Sequence, residues 1–171
     1  MKILLLLILA GEPWLPRLQS FLAQHRTFQA SFTEILQAAQ SPPETLQGRL
    51  FVQAPDRIRL ETPQMVLVQR GQQGEMLDRS TGQVSSYRSL GPSPLVLFTL
   101  DSLQAYFAIQ ETDTAVVLVP RDRPTDTLWV VPGPDGAPQR LGYRSAQQTL
   151  RFRFGPWHTD RPLSPHRFRL P

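Results

Sequence analysis

The sequence predicts a mainly β fold: one strongly curved antiparallel sheet of about ten strands, with an N-terminal helix and a central helical insertion packed against it. Three observations lead there. Apolar and polar residues alternate with a period of two through most of the chain, as in half-buried strands. Seventeen prolines and ten glycines punctuate the alternation at short intervals. Only two stretches break the strand rhythm, and no internal repeat or second-domain boundary is visible.

In chain order, Lys2 and the apolar run Ile3–Ala10 read as a short signal sequence over residues 1–10, leaving a domain of residues 11–171. The run is far shorter than the ~20 residues that span a bilayer. Trp14, Leu15, Leu18, Phe21 and Leu22 recur at helical spacing, which predicts an amphipathic helix from Pro13 to about Gln24, with proline near its start. From Phe28 the period becomes two, with Phe28, Ala30, Phe32 and Glu34 on one strand face. Strands follow at Leu46–Gln53, Arg57–Thr62, Met65–Arg70, Glu75–Asp78 and Gln83–Arg88, separated by glycine and Ser80-Thr81-Gly82 turns. Gly91-Pro92-Ser93-Pro94 and the run Leu95–Phe98 interrupt the pattern, and Asp101–Phe107 reads as a short helix. Strands resume at Phe107–Glu111, Ala115–Pro120, Thr127–Val131, Arg140–Ser145, Thr149–Phe154 and Arg167–Leu170, with Pro132–Gly136 as a turn.

A chain of 171 residues, 40% apolar and 19% charged, is one domain with a sizeable core. It has no cysteine, which excludes disulfides, a thiolate metal site and a cysteine nucleophile. The net charge is +4, and of 18 basic residues only Lys2 is lysine, so 18 − 1 = 17 are arginine. Arg57, Arg59, Arg151, Arg153, Arg167 and Arg169 alternate with apolar residues, which puts them on a solvated outer sheet face rather than in a nucleic-acid patch. A sheet-surface module for anionic polymers remains a lesser reading.

Catalytic signals are absent. His25, His158 and His166 have no metal-ligand spacing, no nucleophile elbow or phosphate loop occurs, and Glu111 and Asp113 read as solvated acids at a strand end. No enzyme, metal or cofactor is expected. The continuous apolar strands at Met65–Val68, Val116–Val119 and Leu128–Val131 imply sheet covered on both faces. A filled core is the plain alternative to a cavity. The proline-bounded Leu95–Phe98 run favours a cavity with a lid, because bulky apolar residues in such a loop must cover something apolar.

Six segments then resemble, in order, the periplasmic outer-membrane lipoprotein carrier family, LolA. Phe28-Gln29-Ala30-Ser31-Phe32-Thr33 is similar to its Phe-x-Ala-Ser-Phe-Thr, and Gly48–Pro55 to its Gly-x-Leu-Trp-Val-x-Arg-Pro. Pro94–Phe98 resembles its lid segment, Leu103–Ile109 the following helix and strand, Val117–Pro120 its Val-Leu-x-Pro strand, and Phe168–Pro171 its Phe-x-Phe-x-Pro ending. The resemblance implies a single-domain open, incomplete β-barrel whose helical lid encloses an apolar cavity. It implies a monomeric carrier in the periplasm that takes acylated lipoproteins from an inner-membrane ABC transporter to an outer-membrane acceptor protein or membrane. No nucleic acid is expected as a partner.

By matched position and strand parity, the lipid-cavity residues are Phe28, Phe32, Leu50, Val52, Ile58 and Leu60 on the sheet, Val96, Leu97 and Phe98 from the lid, and Leu15 and Leu18 from the first helix. Ala54 stands where the family commonly has an arginine associated with lid control. Arg70-Gly71 replaces an Asp-Gly turn, and Leu77-Asp78-Arg79 lacks an aromatic Tyr-Asp-Pro. These departures keep a second reading open, a LolA-like carrier or sensor for another lipid or hydrophobic molecule.

Overall fold

The structure is a computed structural model and describes residues 13–88, 97–98 and 103–171. The signal-like segment 1–10 and Val96 lie outside the described residues.

Helix α1 spans Trp14–Gln24 and follows Pro13, as the helical spacing predicts. It buries Leu18 and Phe21 and ends where His25 turns to extended backbone. The strands are β1 (Thr27–Ala38), β2 (Glu44–Gln53), β3 (Arg57–Glu61), β4 (Met65–Arg70), β5 (Gln73–Asp78) and β6 (Val84–Arg88). After the one-turn helix α2 (Leu103–Tyr106) come β7 (Phe107–Glu111), β8 (Val116–Pro120), β9 (Thr127–Pro132), β10 (Pro138–Arg144), β11 (Gln148–Phe154) and β12 (His158–Thr159).

All pairings are antiparallel and form one sheet in the order β6-β5-β4-β3-β2-β1-β11-β10-β9-β8-β7, with β12 added beside β1. The path does not close on itself: β6 and β7 are its two ends. The long strand β1 is the centre, paired along ten residues with β2 and along seven with β11. Register fixes the faces. Phe28, Ala30 and Phe32 lie opposite Val52, Leu50 and Gly48, and Phe32 lies opposite Phe154, so the apolar residues of both halves share the concave side.

Gly48 is required there by close approach. A Cβ at this position would clash with the Glu61 carbonyl oxygen and come within 2.7 Å of the Phe32 ring. Helix α1 packs on the concave side through Leu18 and Phe21. Its first turn is held by the Glu111 carboxylate, which accepts from the Leu15 N–H, and by the Asp113 carbonyl, which accepts from the Trp14 indole. Glu111 and Asp113 are exposed, as expected of solvated acids, and they also anchor the helix, Glu111 through its carboxylate and Asp113 through its backbone carbonyl.

Four expectations need correction. The alternation Arg167–Leu170 is not a strand: Ser164 caps a 3-10 helix over Pro165–Phe168, because Pro165 cannot donate to a ladder and suits the first helical position. Arg59 is not on a solvated face. The C-terminal tail folds back over the convex side of β3, and the buried Arg59 Nη1 donates to the carbonyls of Arg167 and Arg169 at 2.8 and 2.7 Å. The apolar runs are not uniformly covered: Val66 and Val68 are buried on the convex side with Arg59, while Met65 and Leu67 face the concave side and are half-buried. The helix expected over Asp101–Phe107 is described only over Leu103–Tyr106, and Phe107 already begins β7.

Candidate functional site

The concave side is an apolar wall. Across β1, β2 and β3, Phe28–Val52–Ile58 and Ala30–Leu50–Leu60 form two cross-strand rows. The wall continues through Phe152 and Phe154 on β11, Leu141 on β10, Leu128 and Val130 on β9 and Val116 and Leu118 on β8. Leu18 and Phe21 of α1, together with Leu97 and Phe98, cover it.

Nine of the eleven expected residues, Leu18, Phe28, Phe32, Leu50, Val52, Ile58, Leu60, Leu97 and Phe98, fall in this one cluster, each at 4% exposure or less. Leu15 is half-buried against its edge. Ala54 stands apart, in the turn after β2, where its N–H donates to the Arg26 carbonyl at 2.9 Å. The structure therefore brings these residues together as packed core, while Pro94, Leu95 and Val96 of the expected lid segment lie outside the described residues.

The sequence reading missed the β8–β11 half of the wall, although the same strand parity would have found it. It also missed Trp157, whose turn position after Gly155-Pro156 carries no periodic signal. Trp157 is the hub of the aromatic cluster, with ring centroids 4.9 Å from Phe154, 5.2 Å from Phe98, and 6.4 Å from both Phe21 and Phe28. Its indole N–H donates to the Pro138 carbonyl at 2.7 Å.

Polar groups on the wall are few. Glu34 sits between Leu46 and Phe152 in the cross-strand row, and burial pushes its carboxyl above the usual range. Tyr143 donates to buried Asp126 at 2.6 Å, and burial with that bond pushes the phenol up. The Tyr87 hydroxyl is buried without a hydrogen-bond partner among the described residues, and burial raises it as well. Among the described residues, no group of three or more His, Asp or Glu is placed to hold a metal ion. What the arrangement offers is apolar contact area, worth roughly 25 cal/mol per Å² removed from water.

The described residues form an open antiparallel sheet whose apolar wall is covered by a short helix and by Leu97 and Phe98. The chain belongs to the LolA family: the model described as outer membrane lipoprotein carrier protein LolA matches residues 23–171. Solved structures agree in fold. A LolA superfamily protein from Nitrosomonas europaea superposes with a TM-score of 0.56 at 9% identity, covering 94% of this chain and 99% of that one. A DUF1329 family protein from Desulfovibrio piger gives 0.56 at 10% identity, covering 93% and 98%. A putative outer membrane lipoprotein-sorting protein domain from Vibrio parahaemolyticus gives 0.50 at 13% identity, covering 90% and 95%. No curated protein matches the chain in sequence. Among the described residues, no helix is long and apolar enough to cross a membrane.

Proposed function

We propose that this protein is a periplasmic, monomeric carrier that holds the acyl chains of lipoproteins against its concave wall. In this reading it receives them from an inner-membrane ABC transporter and delivers them to an acceptor at the outer membrane. The observation that carries the reading is the wall itself: aromatic and branched residues run unbroken from β3 to β8, on a sheet whose two ends are unpaired. Each methylene of an acyl chain costs ~0.8 kcal/mol in water. Crossing an aqueous gap therefore requires a container, and α1 with Leu97 and Phe98 must move aside or repack to admit one. Leu15, Leu18, Phe28, Phe32, Leu50, Val52, Ile58, Leu60, Val96, Leu97 and Phe98 are the proposed contacts, and the role is non-enzymatic.

The test is to mix the purified protein with a detergent-solubilised acylated lipoprotein, remove the detergent, and add outer-membrane vesicles. A soluble one-to-one complex that then transfers its lipoprotein to the vesicles is the expected result. Aggregation of the lipoprotein, as in buffer alone, overturns the reading. Alanine at position 54 favours a second reading, a carrier of other lipids, since the family's lid-control arginine is absent. Lipid extraction and mass spectrometry of the protein as purified separates the two.

A further inference from the structure

The sheet has a gap in its hydrogen bonding that the concave wall does not explain. Past Phe154, Gly155 keeps one bond to the Ser31 carbonyl, and the chain next pairs with β1 at His158–Thr159. Pro156 and Trp157 between them bow out of the sheet, beside the start of β10 at Pro138. A groove of about 1080 Å³ opens at this bow, bounded by the start of β10 and the C-terminal end of α1.

Its lining has two characters. The floor is aromatic, from Phe21, Phe154 and Trp157. The rim carries Arg140 and Arg153, which are direct cross-strand partners on β10 and β11. Like charges placed opposite each other across a sheet repel. Both side chains are exposed, and neither has a hydrogen bond or ion pair to another described residue. The other ionisable groups of the groove are engaged: His25 by Asp160, and Asp135 by the Ala137 N–H. By strand parity both arginines stand on the sheet face opposite Phe154 and border the groove from that side, where two planar guanidinium forks can take a bidentate anion.

We propose that this groove binds an anionic amphiphile, with its phosphate or carboxylate head on Arg140 and Arg153 and its apolar tail along Phe154 and Trp157. From Trp157 the tail would run toward Phe98, 5.2 Å away ring to ring, and so toward the concave wall. The inference rests on the carrier reading and narrows the cargo to chains with a negatively charged head.

The experiment is calorimetric titration of the full chain with octyl phosphate, octanoate, octyl glucoside and inorganic phosphate, repeated on the double variant Arg140→Gln/Arg153→Gln. Both positions are exposed, so the variant should fold, and an unchanged or raised melting temperature checks this. The expected result is at least tenfold tighter binding of octyl phosphate or octanoate than of octyl glucoside. The variant should lose that preference while still binding octyl glucoside. Whichever anion loses more identifies the head chemistry. Equal affinity for charged and uncharged ligands, a preference that survives in the variant, or inorganic phosphate binding as tightly as octyl phosphate would each overturn the proposal. If octyl glucoside binds and the charge preference is missing, the carrier reading stands without it. If no alkyl ligand binds, both fall.

Discussion

Arg59 and Glu61, two residues apart on β3, form an ion pair beneath the C-terminal tail, with side chains only 10% and 13% exposed. The same guanidinium ties down the tail through the Arg167 and Arg169 carbonyls, and Arg167 in turn lies 4.4 Å over the Phe51 ring. Replacing Arg59 by methionine keeps the bulk but strands Glu61 with the exposed Arg49 and frees both carbonyls. The expected cost is about 3 kcal/mol, the usual scale for breaking a buried pair from one side. It would be read from urea midpoints, with faster tryptic cleavage after Arg167, whose carbonyl Arg59 holds. The double variant Arg59→Met/Glu61→Gln should recover part of the loss.

Asp160 should contribute to acid sensitivity, as should Asp78, whose carboxyl the Ser80 and Thr81 hydrogen bonds also hold low. The Asp160 side chain accepts from His25 Nδ1 at 2.6 Å and from the Arg26 N–H at 3.0 Å, and these bonds hold its carboxyl below the usual range, the His25 bond most. A carboxyl lowered in the folded state stabilises the fold above its unfolded pKa, and the effect is lost as pH falls through the folded value. Asp160→Asn should therefore be less stable at neutral pH and show a shallower loss of stability below about pH 4. Urea midpoints across the acid range measure this. Parallel curves for the two proteins would assign the acid response elsewhere. Asparagine also tolerates the left-handed backbone found here, φ +56°.

The carboxyl of Glu34 should show the opposite sign. Burial raises it in the folded state, so its contribution is most favourable below the unfolded value near 4.5 and is lost as pH rises through the folded one. Glu34→Gln should melt higher than the parent at neutral pH, and the two should converge on acidification. A pH-independent difference would mean that packing, rather than charge, governs the site.

Position 54 tests the proposed lid control. An arginine there brings up to five donors. Charge-assisted hydrogen bonds of about 1.5–3 kcal/mol each would shift a two-state closure ten- to a hundredfold. Ala54→Arg should release a bound acyl probe faster and raise transfer to acceptor vesicles. Unchanged release with an intact circular dichroism spectrum would make Ala54 a bystander.

Local rules made much of the architecture legible. Helical spacing found α1, and period two found Phe28–Phe32 and their partners, because a sheet with one buried face leaves its parity in the residues. Where the reading failed, a distant segment had overruled the local pattern. Arg57-Ile58-Arg59-Leu60 alternates like any half-exposed strand, and nothing in those four residues says that a tail more than a hundred positions later covers one side. Glu61, on the same face as Arg59, was the available hint. The two-residue strand β12 is too short to carry a period. The candidate site was legible as a surface but not as a space. Exposure near zero at Phe28, Leu50 and Ile58 is what a filled core and a closed container share, and composition cannot tell them apart.

The strand order carries one further consequence. Neighbours in the sheet are consecutive in the chain everywhere except at β1 and β11, and the two free ends, β6 and β7, are consecutive as well. The eleven strands make a belt whose buckle is left undone, so its girth can change by twist and splay alone, without breaking a single rung between strands. Such a wall sets no sharp upper limit on the bulk of what lies against it. In the proposed carrier, discrimination among cargoes would then fall to whatever grips their polar end.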